Sequence, residues 1–278
     1  MSGKVLAFGA SGKFAGLVVP ALARRGIRVR GFIRDARQAE NVREHGAEEV
    51  AVGNLTDRAS LHRALDGIES VFYLPPAFMP NEAEVGRQVV AAAASARVRR
   101  FVFSSVIHPV LSRLANHAAK AAVEETVLDS GLEYTFLHPA VFFQNYAASW
   151  QRTLDTGVLA EPWSPNARLS HVDYRDVAEV AAIALTEDRL LYGTFELAAP
   201  GALNRYETAA LMSEVLGRTI RAEKLDPRQL GDEARPMQPM FEHYDRHGLL
   251  GNPLTLQAIL GRDARTLRAY FEQLALGH

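Results

Sequence analysis

Along the first 140 residues, short apolar runs alternate with stretches whose apolar positions recur every three or four residues. The runs are Val5–Phe8, Val29–Ile33, Glu49–Val52, Ser70–Leu74, Phe101–Ser104 and Tyr134–His138. They are rich in Val, Phe, Ile and Leu, which is how strands buried on both faces read. Between them, Phe14–Arg25, Ala36–His45, Asp57–Leu65, Glu82–Ala96 and Asn116–Ser130 carry an amphipathic helical pattern. Strand and helix alternating at this spacing predict βαβ units, hence an α/β fold with a doubly wound parallel sheet. Gly26, Gly46, Gly67 and Gly131 fall near four helix ends, where glycine accepts the left-handed conformation.

The rhythm breaks after Pro139. "SHVDYRDVAEVAAIAL" restores a helix with Val177, Val180, Ala181, Ala184 and Leu185 on one side, and "GTFELAA" reads as a further strand. Beyond Pro200 the pattern is helical and loop-rich, with "NRYETAALMSEVLG" and "DARTLRAYFEQLA" as the clear helices. The expected organisation is a sheet domain of residues 1–140 and 171–198, with a smaller, mostly helical substrate lobe of residues 141–170 and 199–278.

The turn after the first strand reads "GASGKFAG". Gly9, Gly12 and Gly16 remove side chains where backbone must turn tightly or approach a diphosphate. Ser11 adds a hydroxyl, Lys13 a charge, and Phe14 opens the following helix. A glycine turn at the first strand of a βαβ series is the context that a dinucleotide requires, although the spacing is G-x-x-G-x-x-A-G. The second strand ends "GFIRDARQ". Arg34, with Lys13 and Arg37, suits a ribose 2′-phosphate and favours NADP(H) over NAD(H); Asp35 would suit an unphosphorylated ribose. Asn54 is placed to meet an adenine edge, or to form a turn. Pro75 and Pro76 end the fourth strand at the sheet edge where a dinucleotide would cross.

Composition narrows the picture. The chain has 278 residues, 48% hydrophobic and 23% charged, which is globular. A net charge of −1 supplies no global basic field, so neither nucleic acid nor an anionic membrane is expected as partner. No cysteine is present, which excludes disulfides and thiolate chemistry. No histidine or carboxylate cluster has metal-ligand spacing, so no metal is expected. The N-terminus lacks a long apolar segment after a basic start, and no run of about 18 apolar residues occurs, so a cytoplasmic location is expected. The pattern permits a homodimer through helices on the sheet faces.

Together "GASGKFAG", "FIRD", "VGNLTD", "FYLPP", "FVFSS", "NHAAKAAVEETVLDSGLEYTFLHPAVFFQN", "HVDYRDVAEVAA" and the late "LLGN…LGRD" resemble the short-chain dehydrogenase/reductase superfamily. Specifically, the chain is similar to its atypical NmrA-like branch of NAD(P)H-binding regulators and reductases. The resemblance implies a Rossmann domain with a small C-terminal lobe over the cofactor. It implies that the glycine loop and Arg34 meet phosphates, and Asn54 with Leu55 the adenine. Leu74, Pro75 and Ser104 would line the crossing, Lys120 would reach the nicotinamide ribose, and Pro139, Ala140 and Val141 would pack near the nicotinamide.

The superfamily pairs a serine with a tyrosine four residues before a lysine, both on one helical face, so that the ammonium helps the phenol to donate a proton. Here the lysine is Lys120, but Asn116 stands at the tyrosine's place, and Ser104 or Ser105 at the serine's. His117, three residues before Lys120, is a candidate proton donor. Structural readings compete: Lys120 paired with Glu124, Asn116 as helix cap, His117 facing solvent. Phe142, Phe143, Gln144 and Asn145 follow the sixth strand and suggest a flat pocket for a planar substrate, with Tyr244 closing it; ordinary packing is the alternative. The implied activity is hydride transfer from NADPH to a small conjugated acceptor (quinone, carbonyl or imine), without the usual tyrosine. The alternative is a non-catalytic NAD(P) sensor that binds a protein partner.

Overall fold

The computed structural model describes residues 3–76 and 78–277. The six apolar runs of the first half become strands: β1 (Val5–Phe8), β2 (Val29–Ile33), β3 (Glu49–Val52), β4 (Ser70–Tyr73), β5 (Arg100–Ser104) and β6 (Glu133–Pro139). Their order is β3-β2-β1-β4-β5-β6, and each neighbouring pair is parallel. A seventh strand, Gly193–Leu197, flanks β6; it is β10 once three short strands between them are counted. The order reverses between β1 and β4, the switch point at which a doubly wound sheet leaves a crevice at its carboxyl edge.

The helices between the strands are α1 (Val18–Ala23), α2 (Ala39–Glu44), α3 (Arg58–Leu65), α4 (Glu82–Ser95) and α5 (Ala115–Asp129). The expected helix over residues 14–25 is shorter and starts later, behind a 3-10 turn at Ala15–Leu17. Pro20 explains the placement: its missing N–H is harmless only in a first turn. The helix over 36–45 likewise opens as a 3-10 turn, because the Asp35 carboxylate caps the Arg37 amide. Asp57 caps α3 through the amides of Ala59 and Ser60 (3.0 and 3.3 Å). The four glycines at helix ends take φ between +68° and +105°.

The chain divides into two compact units: residues through His138 with Val177–Phe195, and Pro139–Asp176 with Glu196–His278. In the first, one face of the sheet is an aromatic ladder. Phe8 meets Phe32 (5.0 Å between ring centres) and Tyr73 (5.7 Å); Tyr73 stacks on Phe103 (5.6 Å), and Phe103 meets Phe136 edge-on (6.5 Å). These rings come from β1, β2, β4, β5 and β6 and pack against Val89, Val90, Val123 and Val127 of α4 and α5.

The second unit holds two small parallel pairs, β7 (Val141–Phe142) with β9 (His171–Val172) and β8 (Val158–Glu161) with β11 (Arg221–Lys224). Its helices include α6 (Tyr146–Thr156), α8 (Arg205–Leu216), α9 (Gln238–His247), α10 (Leu254–Leu260) and α11 (Leu267–Leu276). The helix α7 (Tyr174–Thr186) begins in this unit and ends in the first. Trp150 stacks on Phe271 (5.7 Å), and Tyr146 meets the same ring edge-on (5.2 Å). Two aspartates of the "HVDYRD" run are wholly buried. Asp173 holds the Gln144 amide and the Arg175 guanidinium; Asp176 accepts from Arg262 and from the Arg265 amide (both 2.8 Å). The "LGRD" segment is thereby tied to the start of α7. Among the described residues no helix is long and apolar enough to cross a membrane.

The Tyr73 hydroxyl is buried at the centre of the ladder with no hydrogen-bond partner among the described residues. Tyr73→Phe is therefore expected to leave stability unchanged or raise it by up to about 1 kcal/mol, whereas Tyr73→Ala costs about 3–5 kcal/mol. Urea denaturation of both variants checks this; a Phe variant weakened by more than about 1 kcal/mol would show that the hydroxyl is satisfied.

Candidate functional site

The turn after β1 is built from backbone. Gly9 has φ +72°, and its N–H and that of Ala10 both donate to the Phe32 carbonyl of β2 (3.1 and 3.2 Å). The Gly12 N–H closes back onto Gly9 O (2.7 Å), and the Gly16 N–H onto Gly12 O (2.9 Å). A Cβ on Gly12 or Gly16 would stand 3.0 Å from a carbonyl oxygen of the loop. Beneath the turn, a Cβ on Gly31 of β2 would stand 2.9 Å from that of Ala10. Gly9, Gly12 and Lys13 are exposed, and the N–H groups of Ser11 and Lys13 have no acceptor among the described residues. Open amides on a glycine-rich loop fit a diphosphate. The Ser11 hydroxyl donates to Gln38 (2.8 Å), and the Lys13 ammonium lies 5.4 Å from the centre of the Phe14 ring.

At the end of β2, Asp35 and Arg37 form a closed fork: Nε lies 3.0 and 2.9 Å from the two carboxylate oxygens. The Arg37 side chain, then its amide, hold the Asp35 carboxyl below its usual range. Arg37 is thus committed to Asp35, and Arg34 extends exposed beside them. Asn54 is a turn former: its Oδ1 accepts from the Thr56 amide (3.1 Å). Leu55 packs partly buried against the core. Beyond β4, the Leu74 carbonyl lies 3.9 Å from where a Cβ on Gly9 would be, and Pro75 is buried. The turns after β1 and β4 therefore adjoin.

On α5, Lys120 does not pair with Glu124. It is 7% exposed and donates to Glu82 (2.7 Å), which is 3% exposed in the first turn of α4. Burial pushes the Glu82 carboxyl up, and Lys120 opposes that. Glu124 instead accepts from Ser105 and meets His138 Nε2 (2.9 Å). Ser104 ends β5 wholly buried. His117 does not face solvent: it is fully buried, with Nδ1 3.0 Å from the His108 carbonyl. Asn116 does not cap the helix either; Leu114 holds that place, and Asn116 is the helix's second residue.

In the second unit, Pro139 ends β6, Ala140 donates to Leu197 O (2.9 Å) and Val141 to Ser170 O (3.2 Å). Val141, Phe142 and Asn145 line a cavity of about 350 Å³ with Tyr146, Trp163 and Arg205. Phe143 and Gln144 do not join them. Phe143 is buried against His171 and Tyr270 (6.5 and 6.0 Å). The Gln144 amide donates to Asp173 (2.8 Å) and accepts from the Tyr174 N–H (3.0 Å), and the side chain is buried outside the cavity lining. Tyr244 packs edge-on behind Trp163 (5.5 Å), while Phe241 lines the cavity. Among the described residues no group of three His, Asp or Glu side chains could hold a metal.

The model of the NmrA-like family matches residues 1–273. The chain belongs to the NmrA-like family. An NAD(P)H azoreductase of Xenophilus azovorans is 27% identical over 99% of this chain and 97% of its own length. A (4-alkanoyl-5-oxo-2,5-dihydrofuran-3-yl)methyl phosphate reductase of Streptomyces griseus is 32% identical over 91% and 95%. The solved structure of the NADPH-dependent quinone oxidoreductase QOR2 of Escherichia coli with NADPH shares the fold, with a TM-score of 0.87 at 22% identity over 98% and 99%.

Sequence reasoning about this NmrA-like chain missed Glu82, Glu161, Trp163 and Arg205. Glu82 carries only the signal of an acid in a helix's first turn. Arg205 lies within an N-x-x-E capping pattern, Asn204 to Glu207, that marks a helix start and not a cavity.

His171 supplies a test of the second unit. Its Nδ1 donates to the Leu169 carbonyl (3.0 Å), and its Nε2 accepts from the Tyr146 hydroxyl (3.1 Å). Burial, opposed by the Leu169 bond, pushes its pKa down from 6.5 to about 4. The native ring stays neutral while the unfolded one takes a proton. Its contribution is constant above pH 6.5 and is lost as pH falls toward 4, by roughly 3 kcal/mol. Denaturation of wild type and His171→Asn across this range is expected to show the extra acid sensitivity in wild type alone; parallel profiles would contradict it.

Proposed function

We propose that the protein is an NADPH-dependent reductase of small conjugated acceptors such as quinones, carbonyls or imines, the bound nicotinamide supplying a hydride. The carrying observation is the glycine turn: a backbone cradle with open amides, at the sheet's switch point, in a chain that aligns almost end to end with an NAD(P)H azoreductase and with a second reductase. In this reading the amides of Ser11 and Lys13 bind the diphosphate. Arg34 binds a 2′-phosphate, since Asp35, the group suited to a free ribose, is already engaged by Arg37. Leu74 and Pro75 border the crossing, and Lys120 reaches the nicotinamide ribose while held in place by Glu82.

The acceptor class follows from what α5 lacks. Asn116 occupies the position of the phenol acid and cannot release a proton near neutral pH. Reduction is then easiest for acceptors whose own delocalisation carries the developing charge. The azo, quinone and unsaturated lactone names of the relatives are consistent with that chemistry.

Two measurements test this reading. NADPH is expected to bind more tightly than NADH, and Arg34→Ala to reduce that preference by about tenfold or more, the loss of one charge-assisted contact; equal affinity of wild type for both defeats the NADP assignment. NADPH oxidation above buffer is expected with at least one of a panel of quinones, azo dyes and cyclic imines; silence across the panel would defeat the reductase reading.

A further inference from the structure

Arg205 is 5% exposed in the wall of the second unit's cavity. Its Nη1 donates to the Glu223 carbonyl of β11 (2.8 Å), and its guanidinium carbon lies 5.5 Å from the centre of the Trp163 ring. Its Nη2 is buried and has no hydrogen-bond partner among the described residues. A buried donor left unmade is costly, and more so when it is charged.

The local sequence sharpens the point. Arg205 is the first residue of α8, at the helix's positive end, where a cation is disfavoured. The helix starts there because Asn204 and Glu207 form a reciprocal capping box, with both bonds at 2.9 Å. The box and the Glu223 bond fix the guanidinium without completing it. Glu161 is the one acidic side chain among the lining residues, and it makes no ion pair with Arg205 among the described residues, although the Arg205 charge acts on it through space. Trp163, Phe142 and Phe241 supply flat apolar walls.

We propose that Arg205 is an anion-recognition residue, and that the cavity takes a planar aromatic or conjugated molecule bearing a carboxylate, sulfonate or phosphate, whose oxygens accept from the Arg205 guanidinium. A planar guanidinium held at one edge presents its donors in a fixed plane, which suits such oxyanions. The cavity's roughly 350 Å³ is within the usual range for small-molecule sites. That the anion belongs to the hydride acceptor rests on the reductase reading; the recognition itself does not.

Glu161 tunes the site. Burial pushes its carboxyl up to about 7, with Arg205 and then Arg152 pulling the other way. Above that pH its charge opposes an incoming anion; below it the opposition is gone. The other titratable groups facing the cavity are Arg152 and Tyr146 of α6 and His171 of β9, while Asp245 of α9 and Tyr206 of α8 act on Arg205 electrostatically. His171 stays neutral over this range.

The test needs no cofactor. Calorimetry compares naphthalene-2-sulfonate with naphthalene-2-sulfonamide, which share a ring and differ in charge. Wild type is expected to prefer the sulfonate by about tenfold or more, and Arg205→Gln to abolish the preference. Glu161→Gln, which leaves Arg205 in place, is expected to tighten sulfonate binding several-fold at pH 8 and little at pH 6. Equal affinity of wild type for both probes, binding of neither, a preference retained in Arg205→Gln, or weaker sulfonate binding in Glu161→Gln would overturn the proposal. A sulfonate preference without NADPH oxidation in the acceptor panel removes the reductase reading and leaves the anion site standing; the reverse pattern removes the anion site alone.

Discussion

At the first crossover, backbone packs on backbone because side chains are missing. Gly9 turns the chain at positive φ, Gly12 and Gly16 leave room for carbonyls 3.0 Å from where a Cβ would stand, and Gly31 clears the strand beneath. The bonds from Gly9 and Ala10 to Phe32 lock the turn to β2. This close approach leaves the amides of Ser11 and Lys13 without an acceptor among the described residues at the sheet's switch point, with Arg34 at the end of the next strand. Any larger residue would separate turn from strand and fill the space a diphosphate needs.

Buried charge is handled in two ways. Lys120 and Glu82 neutralise each other across α4 and α5, and Asp173 and Asp176 are wrapped by donors from several segments of the second unit. These groups hold geometry: removal of one partner would strand the other in a medium that cannot solvate it. Arg205 is different. It is as buried as these, yet it makes no ion pair among the described residues, and its Nη2, like Glu82 Oε2, has no hydrogen-bond partner among them.

The sheet was legible because parallel strands buried on both faces are written as apolar runs, and β1, β2 and β3 begin and end where their runs do. The glycine turn was legible because only glycine fits such a geometry. The short strands of the second unit were not. β7 and β9 are two residues each, and β11 reads "RAEK", so neither length nor alternation marks them. Side-chain partners were the least legible. Spacing suggested Lys120 with Glu124, four residues on, but the sheet brings Glu82 from 38 positions away and turns Glu124 toward Ser105 and His138. The "VFFQN" aromatics divide in the same way, Phe142 into the cavity and Phe143 into the core, which residue type alone does not distinguish.

The central claim is that open amides of the first turn hold a dinucleotide's diphosphate. Titration of ¹⁵N-labelled protein with NADPH tests it at those atoms. The account predicts that the amide resonances of Ser11 and Lys13 move and saturate together. Resonances that stay fixed in folded protein at saturating NADPH would contradict it.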